Sequence, residues 1–520
     1  MNETHFAIHI FVTLLLVASG VAMLAKRVRV PYTLMLVIVG LVISPMHFLP
    51  VVHISPELIL LIFLPALLFE AAWNLKIQRL RENLLPILTM ATAGVGVAVG
   101  VIGLILHYGI GLAWPSALLF GAMISATDPV SVLALFKKLG LPPRLTTIVE
   151  GESLFNDGTA VVVFRIILGI AAGTTQLSGA DLLVNSIREL SLVILGGVAV
   201  GAIIGIVTST LTSYFDDHLL EITLTTIAAY GSFLLAEGLH VSPVIAVLIA
   251  GLVLGNFGRD KGMSPTTQVA VNSFWEYAAF VVNSLVFLLI GLEIQLSMLI
   301  ENLTSISWAV LAMLLARAAA VYGLNPITNR LGEGMSFRGQ HVLFWGGLRG
   351  SLSIALVLSL PRGLPDRSLL VTMIFGAVIF SLLVQGLTVS PLLKWLRLTQ
   401  SSPKLRDYEL LQSELMAETA ALAELESLLA EGSLTEALYQ TIRQRLSESR
   451  EALKSRLAEV DVTEKGLLQQ QLRRIERHLV DVKKARLAEL QRDGLLSEAS
   501  HRELNERLDE ELATLQNPAH

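Results

Sequence analysis

Ala122-Met-Ile-Ser-Ala-Thr-Asp-Pro-Val130 lies inside an apolar run that extends over 114–136. A run of that length crosses a hydrocarbon core of about 30 Å as a helix, yet this one carries a carboxylate and a proline near its middle. Pro129 has no amide proton, and its ring clashes with the carbonyl four residues back, that of Ser125, so the helix is predicted to break or kink at membrane depth. Freed carbonyl oxygens beside Asp128 offer a coordination shell for a hard, weakly held cation. The bland alternative is that Asp128 caps the amides released by the break. A single side chain can do both.

The rest of the chain fits a bilayer. Of 520 residues, 53% are hydrophobic and 16% are charged, against roughly a quarter charged in soluble proteins. The apolar residues form runs of about twenty rather than stripes of helical period. Spans are expected near 6–25, 32–49, 57–74, 84–107, 114–136, 146–172, 187–210, 219–237, 241–257, 272–296, 304–323, 339–360 and 368–395. The expected class is therefore an all-α polytopic membrane protein of about thirteen helices. Met1 to His9 lack the basic leader of a secretory signal, so the first run reads as a retained helix.

Loop charge orients these spans, because Lys and Arg accumulate on the cytoplasmic side. One side receives Lys26, Arg27, Arg29, Lys76, Arg79, Arg81, Lys137, Lys138, Arg144, Arg259, Lys261, Arg330, Arg338, Lys394 and Arg397; the other receives Arg188, Arg362 and Arg367. Fifteen against three predicts an external N-terminus and a cytoplasmic C-terminus in the plasma (inner) membrane. After Leu398 the composition turns to Leu, Ala, Glu, Arg and Gln, so 1–398 reads as the membrane domain and 399–520 as a cytoplasmic, coiled-coil-like helical domain for regulation or assembly. Within it, Gly432-Ser-Leu-Thr-Glu-Ala437 resembles Gly494-Leu-Leu-Ser-Glu-Ala499, and Arg445-Leu-Ser-Glu448 resembles Arg507-Leu-Asp-Glu510 at the same offset; each Gly is expected to end a helix and each Thr or Ser to cap the next.

Charges at membrane depth are costly and mark function or obligatory pairs. Glu150-Gly-Glu-Ser-Leu-Phe-Asn-Asp-Gly158 places Ser153 four residues before Asp157 and three before Asn156, so the three share one helical face. Trp345-Gly-Gly-Leu-Arg-Gly-Ser-Leu-Ser353 sets Arg349 among three glycines, a second expected interruption; Arg349 reads equally as scaffold or gate. Arg317 is a further buried cation and Glu70 a further buried acid. Arg165, Glu237, Glu276 and Glu293 read as interfacial residues. There is no cysteine, which excludes disulfides and thiolate chemistry, and the histidines form no zinc-ligand cluster. A net charge of −5 without a basic, aromatic-interleaved block gives no support to nucleic-acid binding. No cofactor is called for.

Thr127-Asp128-Pro129, Glu152-Ser-Leu-Phe-Asn-Asp157 and Gly346-Gly-Leu-Arg-Gly350, in this order and on separate spans, resemble the monovalent cation:proton antiporter-1 family, which includes bacterial sodium/proton antiporters and the sodium/proton exchangers. Phe274-Trp-Glu276 and Asn283-Ser-Leu-Val-Phe-Leu-Leu-Ile-Gly291 also fit, and the resemblance covers about 6–397. It implies two inverted six-helix repeats, spans 1–6 and 8–13, with interrupted helices five and twelve crossing, and a homodimer. It further implies that Asp157 carries sodium or a proton in turn, that Thr127, Asp128 and Ser153 help to hold the sodium ion, that Glu152 pairs with Arg317, and that Glu70 lies on the cytoplasmic approach.

The expected function is secondary active exchange of sodium, with lithium alongside it, for protons, serving pH and sodium homeostasis, and not enzymatic catalysis. Burial disfavours the charged form of a carboxylate, which lets a proton compete with a cation for one site. Asn156 rather than a second acid beside Asp157 favours one-for-one, electroneutral exchange. Potassium is the rival substrate. A cation channel or a sensor signalling through the tail is a more distant reading, with a regulatory ligand or self-association as the tail's role. Two buried acids on neighbouring helices also suit an intramembrane aspartyl protease, but its Tyr-Asp and Gly-x-Gly-Asp settings are absent. Phe155 replaces the last glycine of a serine-hydrolase elbow.

Overall fold

In the computed structural model the described residues are 3–25, 32–44, 58–171, 180–214, 217–294, 296–330, 335–396, 403–430 and 432–459, with isolated positions elsewhere. Their regular structure is helical throughout: α1 Glu3–Ala25, α2 Tyr32–Ile43, α3 Leu64–Asn74, α4 Ile77–Glu82, α5 Leu84–Ala91, α6 Ala93–Ile110, α7 Trp114–Ser125, α8 Val130–Leu139, α9 Pro143–Ala171, α10 Ala180–Thr212 and α11 His218–Gly238. There follow α12 Pro243–Val253, α13 Arg259–Gly262, α14 Pro265–Glu293, α15 Leu296–Glu301, α16 Leu303–Arg330, α17 Phe337–Gly346, α18 Ser351–Leu358, α19 Arg367–Phe380, α20 Gly386–Trp395, α21 Pro403–Ala430 and α22 Glu436–Glu459. Wider π-helical turns at Leu58–Phe63, Leu254–Gly258 and Ser381–Gln385 lead into α3, follow α12 and join α19 to α20.

Among the described residues seven helical stretches, α5 with α6, α9, α10, α11, α14, α16 and α19 with α20, are long and apolar enough to cross a membrane. Five shorter apolar helices, at His9–Ala25, Tyr32–Ile43, Ile59–Asn74, Trp114–Ser125 and Pro243–Gly258, accompany them, and α17 and α18, apolar enough together to cross, are bent by 44° at their break. Large apolar side chains such as Phe11, Leu16, Leu192, Leu195, Ile203 and Ile206 are exposed on α1 and α10, as suits surfaces whose solvent is lipid rather than water.

The chain divides into two compact units, Met1–Gln400 and Ser401–His520. In the first, the packing sorts the helices into two groups. One holds α5 to α7, α9 and α16, α18 and α19, through the pairs α6–α16, α6–α7, α7–α9, α5–α9 and α16–α19. The other holds α1 to α3, α10 to α12 and α14, through α10–α12, α2–α14, α3–α12 and α11–α14. At the crossing of α2 and α14 the backbones touch: a Cβ on Gly40 would lie 2.9 Å from the Cα of Gly291. Small residues are what allow helices to approach this closely where no hydrophobic drive separates helix from lipid.

The second unit contains an antiparallel-type hairpin of α21 and α22 that pack together. Gly432, at φ 74°, ends α21: its amide donates to the Leu429 carbonyl at 3.0 Å, and the Ser433 amide to that of Leu428 at 3.0 Å. That is the left-handed glycine stop the sequence suggested. The matching Gly494 motif lies outside the described residues.

Candidate ion-binding site

Two of the apolar runs, 114–136 and 339–360, are each interrupted. Residues 126–129 separate α7 from α8, and residues 347–350 separate α17 from α18. The two gaps meet. The Asp128 amide donates to the Leu348 carbonyl at 2.7 Å, and a Cβ on Gly350 would overlap the Asp128 carboxyl group. Asp128 Oδ1 accepts from the Val130 amide at 3.0 Å, so the carboxylate also serves one of the amides that the start of α8 leaves open.

The break was expected to leave carbonyl oxygens free for a cation. Side chains take them instead. Arg349 Nη1 donates to the Ser125 carbonyl at 2.8 Å and to that of Ala126 at 3.1 Å. Asn156 Nδ2 donates to the Ser125 carbonyl at 2.8 Å, and Ser153 Oγ to the Thr127 carbonyl at 2.5 Å. Low-dielectric surroundings make unpaired backbone groups expensive, so the neighbouring helices supply donors. Arg349 is thereby fixed at the gap, and its own amide donates to Ser381 Oγ at 2.9 Å, on the π-helical turn of the last span.

Glu152, one turn before Asn156 on α9, is clamped by Arg317 of α16 through Nη1 to Oε1 at 2.6 Å and Nη2 to Oε2 at 3.0 Å. Arg317 Nη2 also reaches the Leu343 carbonyl at 3.0 Å, which ties α9, α16 and α17 together. Both side chains are buried. A bidentate guanidinium–carboxylate pair is the form in which buried charges are best tolerated.

Asp157 takes no part in these side-chain networks; its carboxyl group accepts from the Thr127 amide. It lines a cavity of about 290 Å³ that also touches Glu70, Asn74, Thr127, Asp128, Pro129, Ser153 and Asn283. The cavity therefore lies between the two helix groups, with α3 and α14 on one side and the α7–α8 gap, α9 and α18 on the other. Thr127, Ser153 and Asn156 are buried, whereas Asp128 and Asp157 are partly open to the cavity. Asp157 Oδ1 and Asn156 Oδ1 have no hydrogen-bond partner. Asn156 is held by its amide nitrogen, which also lies 3.3 Å from Thr127 Oγ1 and 3.5 Å from Glu152 Oε1. Glu70 accepts from Asn74 Nδ2 at 2.7 Å. Sequence reading missed Asn74 and Asn283. The first had a signal, a side chain four residues after Glu70 and on the same face; the second sits in an apolar run without a charge to mark it.

Residues 11–395 match the family described as sodium/hydrogen exchanger, transmembrane. The low-affinity Na+/H+ antiporter NhaS1 of Synechocystis is 42% identical over 504 residues, covering 94% of this chain and 93% of its own. The Na+/H+ antiporter NhaG of Bacillus atrophaeus is 38% identical over 526 residues, 99% of each chain, and ApNhaP of Aphanothece halophytica is 46% identical over 417, 79% of this chain and 78% of its own. The solved sodium proton antiporter MjNhaP1 of Methanocaldococcus jannaschii shares the fold, with a TM-score of 0.63 at 23% identity over 76% of this chain and 100% of that one. A match that runs through both interrupted helices and across the whole membrane unit, with relatives aligned end to end, makes this chain a member of the sodium/hydrogen exchanger family.

Proposed function

We propose that this protein exchanges sodium ions, and lithium alongside them, for protons across the plasma (inner) membrane, with Asp157 holding either ion in turn. The observation that carries this reading is the placement of Asp157: Glu152 is clamped by Arg317 and Arg349 is bonded to backbone carbonyls, while Asp157, whose carboxyl group is held through the Thr127 amide, faces a cavity with its Oδ1 unpartnered. A carboxylate in that position needs a cation or a proton to be stable in low dielectric. Asp128, Thr127 and Ser153 would complete the sodium shell, and Glu70 and Pro129 would line the approach. The sodium names of the relatives favour sodium over potassium. A carrier that reorients only when Asp157 is occupied gives obligatory exchange.

Thirteen spans in two inverted repeats are consistent with the packing, since the fourth to sixth and eleventh to thirteenth helical segments gather in one group and the first to third and eighth to tenth in the other. In this reading the chain forms a homodimer with the N-terminus outside. The tail would regulate or assemble it, through a ligand or by self-association. Exchange would be one for one: voltage alone, without an ion gradient, should drive no flux.

The test is purified protein in liposomes that contain a pH dye, under imposed sodium or potassium gradients, with wild type beside Asp157→Asn. Sodium-driven proton movement that vanishes in the variant is the expected result. Movement driven by potassium alone would keep the mechanism and replace the substrate, and no movement with either ion would remove the antiporter reading.

A further inference from the structure

Ser353 lies on α18, three residues beyond Gly350 and fully buried at 0% exposure. Serine and threonine hydroxyls within these helices ordinarily donate to a carbonyl one turn back: Ser359 does so to Leu356 at 2.7 Å and Thr372 to Ser368 at 3.0 Å. The Ser353 hydroxyl makes no such bond and has no partner at all. Buried polar atoms without partners are rare and call for an explanation.

Its position supplies one. Gly350, the residue before α18, packs directly on the Asp128 carboxyl group. Ser353 also lines the same cavity as Asp157 and Asp128. Thus two unpartnered buried oxygens, those of Asp157 and Ser353, belong to this one cavity, and a third, that of Asn156, is on α9 next to Asp157 in sequence. That of Ser353 comes from the arm of the other interrupted helix.

We propose that Ser353 supplies an oxygen to the transported monovalent cation, so that the ion is held by α18 as well as by α9. The proposal rests on the antiport reading above and extends it. A neutral hydroxyl suits hard cations. Protonation of Asp157 does not require it, because the proton bonds to the carboxylate itself. Removal of the hydroxyl should therefore weaken sodium binding while leaving proton turnover intact, a separation that a merely structural serine would not produce.

In proteoliposomes, Ser353→Ala is expected to raise the sodium concentration for half-maximal exchange about fivefold to tenfold, the weight of one lost oxygen ligand. The rate at saturating sodium should stay near that of wild type, and Ser353→Thr should restore affinity. An unchanged half-saturation, or a fall in maximal rate alone, would overturn the assignment. A second readout needs no transport. The chain has no cysteine, so Ser353→Cys carries the sole thiol, and its reaction with a small methanethiosulfonate can be followed in detergent. Sodium should slow that reaction severalfold relative to choline; equal rates in the two salts would sink the proposal. Sodium protection of the Ser353→Cys thiol alongside a wild type that exchanges no protons would instead count against the antiport reading and leave Ser353 in place.

Discussion

The backbone amide of Asp128 and the backbone carbonyl of Leu348 are joined at 2.7 Å, so two helices interrupted 220 residues apart in sequence complete each other's hydrogen bonding at their gaps. Each gap would be untenable alone in lipid. Together with Arg349, which occupies the carbonyls of Ser125 and Ala126, they form a closed polar knot beside Asp157.

The knot depends on a missing side chain. Asp128 approaches Gly350 so closely that any Cβ there displaces its carboxyl group. Gly350→Ala should therefore separate the two gaps and abolish sodium-driven proton movement, while a protein that still elutes as one folded species shows that the damage is local. Unaltered exchange in that variant would mean that the crossing is more plastic than its geometry implies.

Glu152 and Arg317 should be strongly coupled. Removing one member of a buried pair leaves an uncompensated charge and costs about 3–5 kcal/mol. Arg317→Ala leaves the Glu152 carboxylate with the Asn156 amide at 3.5 Å and the more distant charge of Arg349, so its melting temperature should fall well below that of Arg317→Ala combined with Glu152→Gln. Arg317→Lys should not rescue, because a point charge cannot reproduce two parallel bonds and the third to Leu343. Additive losses across this cycle would rule out the coupling.

The local half of this site is legible in the sequence. Asp128-Pro129 and Gly346 to Gly350 announce their breaks because proline removes a donor and glycine weakens a helix, and Ser153, Asn156 and Asp157 share a face by spacing alone. The partnerships are not legible. Sequence reading left the carbonyls at Ser125 to Thr127 open to a cation, whereas Arg349, Asn156 and Ser153 occupy them. Periodicity records where a helix stops; it does not record which distant side chain satisfies the stop. Arg349 accordingly read equally as gate or scaffold until its contacts were seen. The hydroxyl of Ser353 passed as one more small residue in an apolar helix.

The tail should be dispensable for exchange itself. The family match ends at residue 395, before the second compact unit begins. A chain that stops after Ser402 should keep the sodium half-saturation of the full-length protein in liposomes. A shift in its pH profile with unchanged half-saturation at the optimum would assign the tail to regulation, and complete loss of exchange by a folded protein would tie it to transport.

Competition between sodium and protons fixes the sign of the pH dependence. If Asp157 holds either ion in turn, as proposed, it must be deprotonated to hold sodium, so acid raises the fraction of carriers closed to the cation, and linkage requires sodium in turn to expel protons. As pH falls below the range in which the site loses its proton, the sodium concentration for half-maximal exchange should climb about tenfold per pH unit if one proton is displaced, and about a hundredfold if Asp128 titrates with it. Half-saturation measured across pH in wild type and in Asp128→Asn distinguishes the two. A single-proton slope in both proteins leaves Asp157 as the exchanging carboxylate and Asp128 as the anchor of the helix crossing. A two-proton slope that drops to one in Asp128→Asn would make the pair the carrier and end the electroneutral reading. A half-saturation indifferent to pH would mean that sodium and protons do not share a site at all.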